Sequence, residues 1–341
     1  MRTSLPGRVA TRGAIGFVAA PAPPYGGGMA RDTLSITRGV VDYLESAGVP
    51  LPAIADEVTT DEYFAFWRAV AAAADRPDLG IAIGTAVFGR SVSAHAALQA
   101  ATLGDALRTI ARYKRLACPE EVLVEVRDGE AAVRCDWVLA TGEVPPILVD
   151  AVFASTVALV ARGTAGKAAP VRIELARKRS HVQMLRDHFR CPIVFGAAHD
   201  RIVFAERALA TPFVTADRAA YAQLVPGLEA RLGASRSLVG DVRIAIARTI
   251  SAGARPSIES IAQRLETSPR TLQRRLGEAR TRFQDQVDDV RRVAARRLLA
   301  HTELPPIDIA FLLGFAEPNS FARAFRTWER TTPLRWRAAR S

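Results

Sequence analysis

Cysteine is scarce in this chain of 341 residues, and its scarcity excludes several classes of protein. The three cysteines, Cys118, Cys135 and Cys191, are too few and too widely spaced for a disulfide framework or a zinc cluster. Long apolar runs are also missing, because the longest, 151–161, falls short of the ~18–20 residues that span a bilayer. We therefore expect a cytoplasmic protein with no membrane partner and no metal.

Motifs for catalysis and for nucleotide binding are absent as well. The sequence contains no Walker loop, no Gly-x-Ser-x-Gly and no Gly-x-Gly-x-x-Gly in a strand–helix context. His181 and His188 lie seven residues apart, which is not the i, i+4 spacing of a helical metal pair. We predict no catalytic residue and no cofactor, and we expect that the protein is not an enzyme.

What the chain has in excess is positive charge, and the excess is uneven. Its 46 Lys and Arg outnumber 35 Asp and Glu, for a net charge of +11. Residues 251–341 hold 17 arginines, no lysine and 10 acids, a net charge of +7, which leaves +4 for the first 250 residues. Arginine presents a planar fork of donors that fits phosphates and guanine edges. The asymmetry indicates a nucleic-acid-binding C-terminal segment.

The length and the hydrophobic patterning predict two domains. Residues 1–30 are rich in Pro and Gly and are expected to form a disordered extension, with Met29 as an alternative start. Residues 31–225 mix helical periodicity with strands, including a hairpin that turns at Asp128-Gly129, and predict an α+β domain. A linker is expected at 226–237, and 238–341 is predicted to be all helical.

Within the C-terminal segment, residues 257–276 predict a helix, a three-residue break and a second helix. Ser257 and Ser268 are placed to cap the two helices, and Pro269 occupies the first position of the second. Leu272 and Leu276 fall on the inner face of that second helix. Its outer face is expected to carry Arg270, Gln273 and Arg274, which suits the DNA major groove.

A second stretch with the same layout follows at 306–326. Phe321 and Phe325 are expected to pack inward from its second helix, whose outer face carries Asn319 and Arg323. A long helix over 283–299 is predicted to bridge the two units. Four of its arginines are expected either to lie along the DNA backbone or to form a solvated helix face: Arg291, Arg292, Arg296 and Arg297.

This arrangement resembles the AraC/XylS class of bacterial transcription regulators, whose DNA-binding domain has two helix-turn-helix units joined by a helix. The resemblance rests mainly on Ile309-Ala310, Gly314-Phe315, Ser320-Phe321, Arg323, Phe325 and Thr332-Pro333. The stretch 185–213 is similar to the subgroup with an arabinose-binding-like N-terminal domain, which implies effector binding or dimerisation there.

Four positions depart from the family pattern, and one of them is Trp336, which stands where tyrosine is common. Arg280 and Arg330 stand where relatives usually place glycine after each recognition helix. Either these two helix ends differ in conformation, or the arginines compensate by reaching phosphate. Pro318 falls where some relatives carry a base-contacting side chain, so the second unit is expected to read fewer bases.

The sequence therefore predicts a sequence-specific DNA-binding regulator that responds to an unidentified small-molecule effector. Its partner is double-stranded DNA, with RNA polymerase and a second copy of the chain as further candidates, and its location is the nucleoid. The alternatives are a constitutive regulator whose N-terminal domain only dimerises, and an enzyme with a DNA-tethering tail. Base reading is assigned to Arg270, Gln273, Arg274, Asn319 and Arg323, and backbone contact to Ser268, Arg275, Arg291, Arg296, Ser320 and Arg326.

Overall fold

A computed structural model describes residues 33–339 apart from 54, 117, 119, 138, 139, 141, 142 and 235–237. The predicted extension at 1–30 lies outside the described residues, as do the last three residues of the predicted linker. The remainder forms a mixed helix-and-sheet region followed by a helical region with two helix-turn-helix units. This confirms the predicted fold class.

The N-terminal region is built on a five-stranded sheet with a small two-stranded sheet beside it. The strands are β1 (Thr33–Leu34), β2 (Val58–Thr59), β3 (Glu120–Arg127), β4 (Glu130–Trp137), β5 (Arg172–Leu175), β6 (Ile193–Phe195) and β7 (Arg201–Ala205). The large sheet has the order β3-β4-β7-β5-β6, in which β5 and β6 run parallel and all other neighbours run antiparallel.

Helices surround these sheets. Two short 3₁₀ helices, at Lys114–Leu116 and Glu206–Ala210, complete the region. The α-helices are α1 (Arg38–Ser46), α2 (Thr60–Ala74), α3 (Leu79–Ala86), α4 (Val92–Leu98), α5 (Leu103–Tyr113), α6 (Pro146–Thr164), α7 (Val182–Phe189) and α8 (Arg218–Ala234).

Local signals explain where several of these elements begin and turn. Asp128 and Gly129 both adopt positive φ, 53° and 78°, as a two-residue hairpin turn requires, which confirms the predicted hairpin. The start of α2 is fixed by a capping box. The backbone N–H of Thr59 donates to Glu62 Oε2 at 2.8 Å, and the N–H of Glu62 donates to Thr59 Oγ1 at 3.4 Å.

Helix α6 is the central element of the N-terminal core. By length and composition it could cross a membrane, yet Phe153, Ala154 and Val160 are buried among the strands and helices of this region. Asp150 is also buried and forms a two-pronged ion pair with Arg177, with contacts of 2.8 and 3.1 Å. These contacts make α6, which contains the apolar run at 151–161, a core helix.

Helix α8 extends through most of the segment predicted to be a linker. Leu228 is buried against Ala96 and Tyr113, and Glu229 accepts hydrogen bonds from Arg112 and Tyr113. Residues up to 229 therefore pack on the N-terminal region despite Pro226 inside the helix. The boundary at 225 stays a prediction, with the packed region reaching beyond it.

The C-terminal region contains seven helices within the described residues. Two separate apolar cores form in it, one around Ile246 and Leu272 and the other around Phe321 and Phe325. The helices are α9 (Leu238–Ser251), α10 (Ile258–Arg264), α11 (Pro269–Glu278), α12 (Phe283–His301), α13 (Pro306–Leu312), α14 (Pro318–Glu329) and α15 (Pro333–Ala338).

The close packing of α3 on α6 generates a prediction about stability. A Cβ added to Gly84 would lie 2.1 Å from the carbonyl oxygen of Ala151, so the two backbones would have to separate. We expect Gly84→Ala to lower the free energy of unfolding by about 1–3 kcal/mol or more, measured by urea denaturation. Gly227→Ala is the matched control, because nothing lies within 4 Å of its Cβ position. Equal stability of the two variants would contradict the close approach.

Candidate nucleic-acid interface

The first helix-turn-helix unit, α10 and α11, has both of its predicted caps. Ser257 Oγ accepts from the N–H of Ser260 at 3.2 Å, and Ser268 Oγ accepts from the N–H of Thr271 at 3.1 Å. Leu272 and Leu276 are buried beneath α11. Its opposite face is exposed and carries the predicted base-reading residues Arg270, Gln273 and Arg274.

The second unit, α13 and α14, repeats this layout. Phe321 and Phe325 are buried, and Trp336 of α15 packs edge-on against Phe325 with ring centroids 6.1 Å apart. Pro318 occupies the first turn of α14. The exposed face carries Asn319, Arg323 and Arg326, while Ser320 is half-buried and its Oγ accepts from Arg323 Nη2 at 3.3 Å.

The turns inside the two units have the same geometry. Glu266 and Gly314 both have positive φ, 52° and 73°, at equivalent positions. The next residue then closes the turn with a 3.0 Å bond in each unit, from Thr267 N to Ala262 O and from Phe315 N to Ala310 O. The turns of the two units are therefore alike, although one uses glutamate and the other glycine.

The exposed faces of α11 and α14 are strongly positive. Within the described residues, Arg270, Arg275 and Arg326 have no ion-pair partner. Arg274 pairs with Glu278 one turn along the helix, and both side chains are more than half exposed. An exposed pair of this kind is worth little, so Arg274 can exchange its carboxylate for a base or phosphate at small cost.

The position of Arg291 does not support its predicted contact with the DNA backbone. Its side chain is 7% exposed, and it donates from Nε to Leu313 O at 2.9 Å and from Nη2 to Gly314 O at 2.8 Å. The guanidinium also lies 4.3 Å from the ring centroid of Phe315. Burial lowers the pKa of Arg291. Its Nε and Nη2 donors are engaged inside the domain and are not available to a phosphate.

The remaining arginines of α12 are also engaged with protein groups. Arg292 and Arg296 both donate to Glu329 at the end of α14, at 2.7 and 2.8 Å. Burial alone would raise the pKa of Glu329, but the two arginines lower it below its usual range. Arg297 turns to the N-terminal region, where its Nε donates to Ala198 O at 2.8 Å. The expectation that these side chains follow the DNA backbone loses its support.

Arg280 and Arg330 keep the left-handed conformation in which relatives favour glycine. Their φ angles are 56° and 58°, and both side chains are exposed. The helix ends are closed by bonds from Thr281 N to Leu276 O at 3.0 Å and from Arg330 N to Arg326 O at 2.9 Å. The backbone geometry that glycine would provide is thus present without glycine.

Three features of the molecule escaped the sequence interpretation. Glu329 joins α12 to α14, and Arg337 holds α15 through bonds to Leu299 O and Leu304 O at 3.1 and 2.6 Å. No short sequence motif predicts either role, because both depend on partners more than thirty residues away. The third is the Arg-Lys-Arg run at 177–179. Its signal in the sequence is three adjacent cations between a predicted strand and a predicted helix.

Two helix-turn-helix units with exposed arginine and amide side chains on their second helices define a DNA-binding transcription regulator. Comparison with known families agrees with this class. The family described as the arabinose-binding domain of AraC transcription regulator, N-terminal, matches residues 40–213, and a helix-turn-helix domain family matches 261–339. The chain belongs to the AraC family of transcription regulators.

Relatives of known name are similar over most of the chain. The Ornithine utilization regulator of Pseudomonas aeruginosa is 29% identical over 77% of this chain and 79% of its own length. The HTH-type transcriptional regulator VirS of Mycobacterium tuberculosis is 29% identical over 80% of this chain and 82% of its own. The crystal structure of the transcriptional regulator CdpR from Pseudomonas aeruginosa covers 88% of this chain and 97% of its own at 22% identity, with a TM-score of 0.45.

The buried position of Arg291 gives a prediction that separates a structural role from phosphate contact. We expect Arg291→Leu to lower the free energy of unfolding by about 1–3 kcal/mol, because two carbonyls lose their donor. The dependence of DNA affinity on salt should keep its slope, since no phosphate contact is removed. Urea denaturation and anisotropy titrations across salt measure both. A slope that falls by about 0.9 would contradict the structural role.

The left-handed arginines give a second prediction. Replacing Arg330 by glycine removes a strain of about 1 kcal/mol, partly offset by the greater freedom of glycine in the unfolded chain. We expect Arg330→Gly to raise the free energy of unfolding by up to about 1 kcal/mol, with Arg326→Gly as a destabilised control within the same helix. If Arg330 also contacts phosphate, the DNA affinity of the variant will depend less steeply on salt. A lower free energy of unfolding for Arg330→Gly would contradict the strain.

Proposed function

We propose that this regulator reads DNA sequence with both units and changes its affinity for DNA when the N-terminal region binds a small-molecule effector. The observation that carries the proposal is the division of α11 and α14 into one buried apolar face and one exposed face of hydrogen-bonding side chains. The base-reading residues are Arg270, Gln273, Arg274, Asn319 and Arg323, and the backbone-contacting residues are Ser268, Arg275, Ser320 and Arg326.

The side chains on the exposed faces match the hydrogen-bonding pattern of base edges. Arginine pairs with the O6 and N7 of guanine, and glutamine or asparagine pairs with the N6 and N7 of adenine. Helix α12 has 19 residues and is about 28 Å long. We propose that this bridge places the two units in successive major grooves, which lie roughly 34 Å apart on one face of DNA.

Contacts between the two regions support a response to an effector. Arg297 Nε of α12 donates to Ala198 O, and Arg297 Nη1 lies 3.8 Å from Oδ1 of Asp136 in β4. Arg248 of α9 forms an ion pair with Glu121 of β3. A ligand that favours one arrangement of the N-terminal region would shift these contacts and with them the DNA-binding helices. We further propose action in the cytoplasm on the nucleoid, with RNA polymerase and a second copy of the chain as partners.

Base reading is tested by replacing two neighbouring arginines of α11. Arg274→Ala should weaken binding to DNA from upstream of the protein's own gene by about 1–3 kcal/mol, roughly 5- to 150-fold, and should relax specificity. Arg275→Ala is the matched control and should weaken native and shuffled DNA alike, with a salt slope shallower by about 1. Fluorescence anisotropy across salt measures both. An equal loss on both DNAs for Arg274→Ala would exclude its base-reading role.

A further inference from the structure

The carboxyl ends of the two parallel strands border a cleft of about 480 Å³. Strands β5 and β6 are joined by α7, and the chain leaves both strands at the same edge of the sheet. The cleft lies between the segment after β5, the first turns of α7 and the end of β6. Crevices at the carboxyl ends of parallel strands are favoured ligand sites, and a volume of roughly 300–1,000 Å³ is typical of small-molecule sites.

The polar side chains that border this cleft are cationic. They are Arg177, Lys178, Arg179 and Arg186, and none of the described residues that line the cleft is acidic. Asp150 holds and neutralises Arg177. Among the residues that the structure describes, neither Arg179 nor Arg186 has an ion-pair partner, and both are exposed. The cleft therefore offers at least two guanidinium groups without a carboxylate partner among the described residues. A ligand with two negative charges would balance them.

The remaining wall of the cleft is apolar. Val182 of α7 and Ile193 and Phe195 of β6 line it beside the cations. An inorganic anion would leave these side chains without a partner, whereas a ligand with a carbon skeleton would cover them. Guanidinium forks bind carboxylate and phosphate oxygens in pairs. The two sets of side chains together select for a small organic dianion.

The geometry points to an organic-dianion site in this cleft, occupied by a dicarboxylate or a phosphomonoester with an apolar body; we propose that it is the effector site. The regulatory role of this site rests on the proposed response to an effector, whereas binding of the dianion does not.

The cleft is directly joined to the surface that contacts the DNA-binding region. The N–H of Gly196 donates to Arg177 O at 3.1 Å, and the N–H of Ala176 donates to Asp200 Oδ1 at 2.8 Å. These bonds connect the wall of the cleft to the 196–200 loop. Ala198 in that loop accepts the bond from Arg297 of α12. A ligand that displaces the loop would therefore act on the bridging helix without an intermediate element.

The test uses the full chain and the fluorescent sulfonate 8-anilinonaphthalene-1-sulfonate as reporter. Arg179→Gln with Arg186→Gln should weaken reporter binding by about tenfold or more, because charged hydrogen bonds are lost. Arg162→Gln with Arg207→Gln removes the same charge from exposed sites of this region outside the cleft and should leave binding unchanged. Equal affinities of the two double variants would overturn the proposal.

Competition defines the ligand class. Phenylsuccinate and phenyl phosphate represent the dicarboxylate and phosphomonoester sources, and benzamide is the neutral comparison. Displacement of the reporter by either anion, but not by benzamide, supports the site and identifies the source. Displacement by benzamide as strong as by both anions, or no displacement by either anion, would overturn the proposed site. DNA binding by the same preparations is measured separately. If the cleft binds no anion while DNA binding is intact, the dianion site is contradicted and the proposed DNA-binding function is not.

Discussion

The buried guanidinium of Arg291 is the interaction on which the geometry of the DNA-binding region depends. The two helix-turn-helix units have separate apolar cores, and α12 contributes to both, with Val287 in the first and Leu299 in the second. Apolar contacts are not directional, so they leave the rotation of the second unit about α12 weakly defined. The bonds from Arg291 to Leu313 O and Gly314 O are directional, and they end at the turn between α13 and α14. Together with the ion pairs from Arg292 and Arg296 to Glu329, these bonds fix the orientation of the second unit on α12.

This use of arginine explains why the sequence predicts the units but not the roles of all their arginines. The apolar stripes and the serine caps identify α10, α11, α13 and α14, because a buried face and a cap depend on neighbours within a few residues. Whether an arginine lies inside depends on groups elsewhere in the chain. Arg291 needs carbonyls more than twenty residues away, and Arg296 needs Glu329. Arg274 and Arg296 have the same side chain, and only these distant partners decide which of them reaches the surface.

The N-terminal region shows the same division between local and distant causes. The hairpin at Asp128-Gly129 and the capping box at Thr59 are evident from short stretches of sequence, and both are present. The parallel pairing of β5 with β6 has no such signal, since it depends on the order in which strands join the sheet. The continuation of α8 past Pro226 was likewise hidden. It follows from Leu228 and Glu229, which bind to α5 more than a hundred residues earlier in the chain.

The distribution of charge also limits how a signal can reach DNA. Several of the arginines that make the C-terminal segment basic are paired inside the protein, so only part of its positive charge is exposed, including that on α11 and α14. The N-terminal region contacts α12 through Arg297 and contacts neither recognition face through the bonds described. A change at Arg297 therefore acts on the element that fixes the distance between the units. Such a change would alter how well both units fit DNA at once, while the side chains that we propose as base readers stay the same. We infer that an effector acting by this route would change affinity for DNA without changing the preferred sequence.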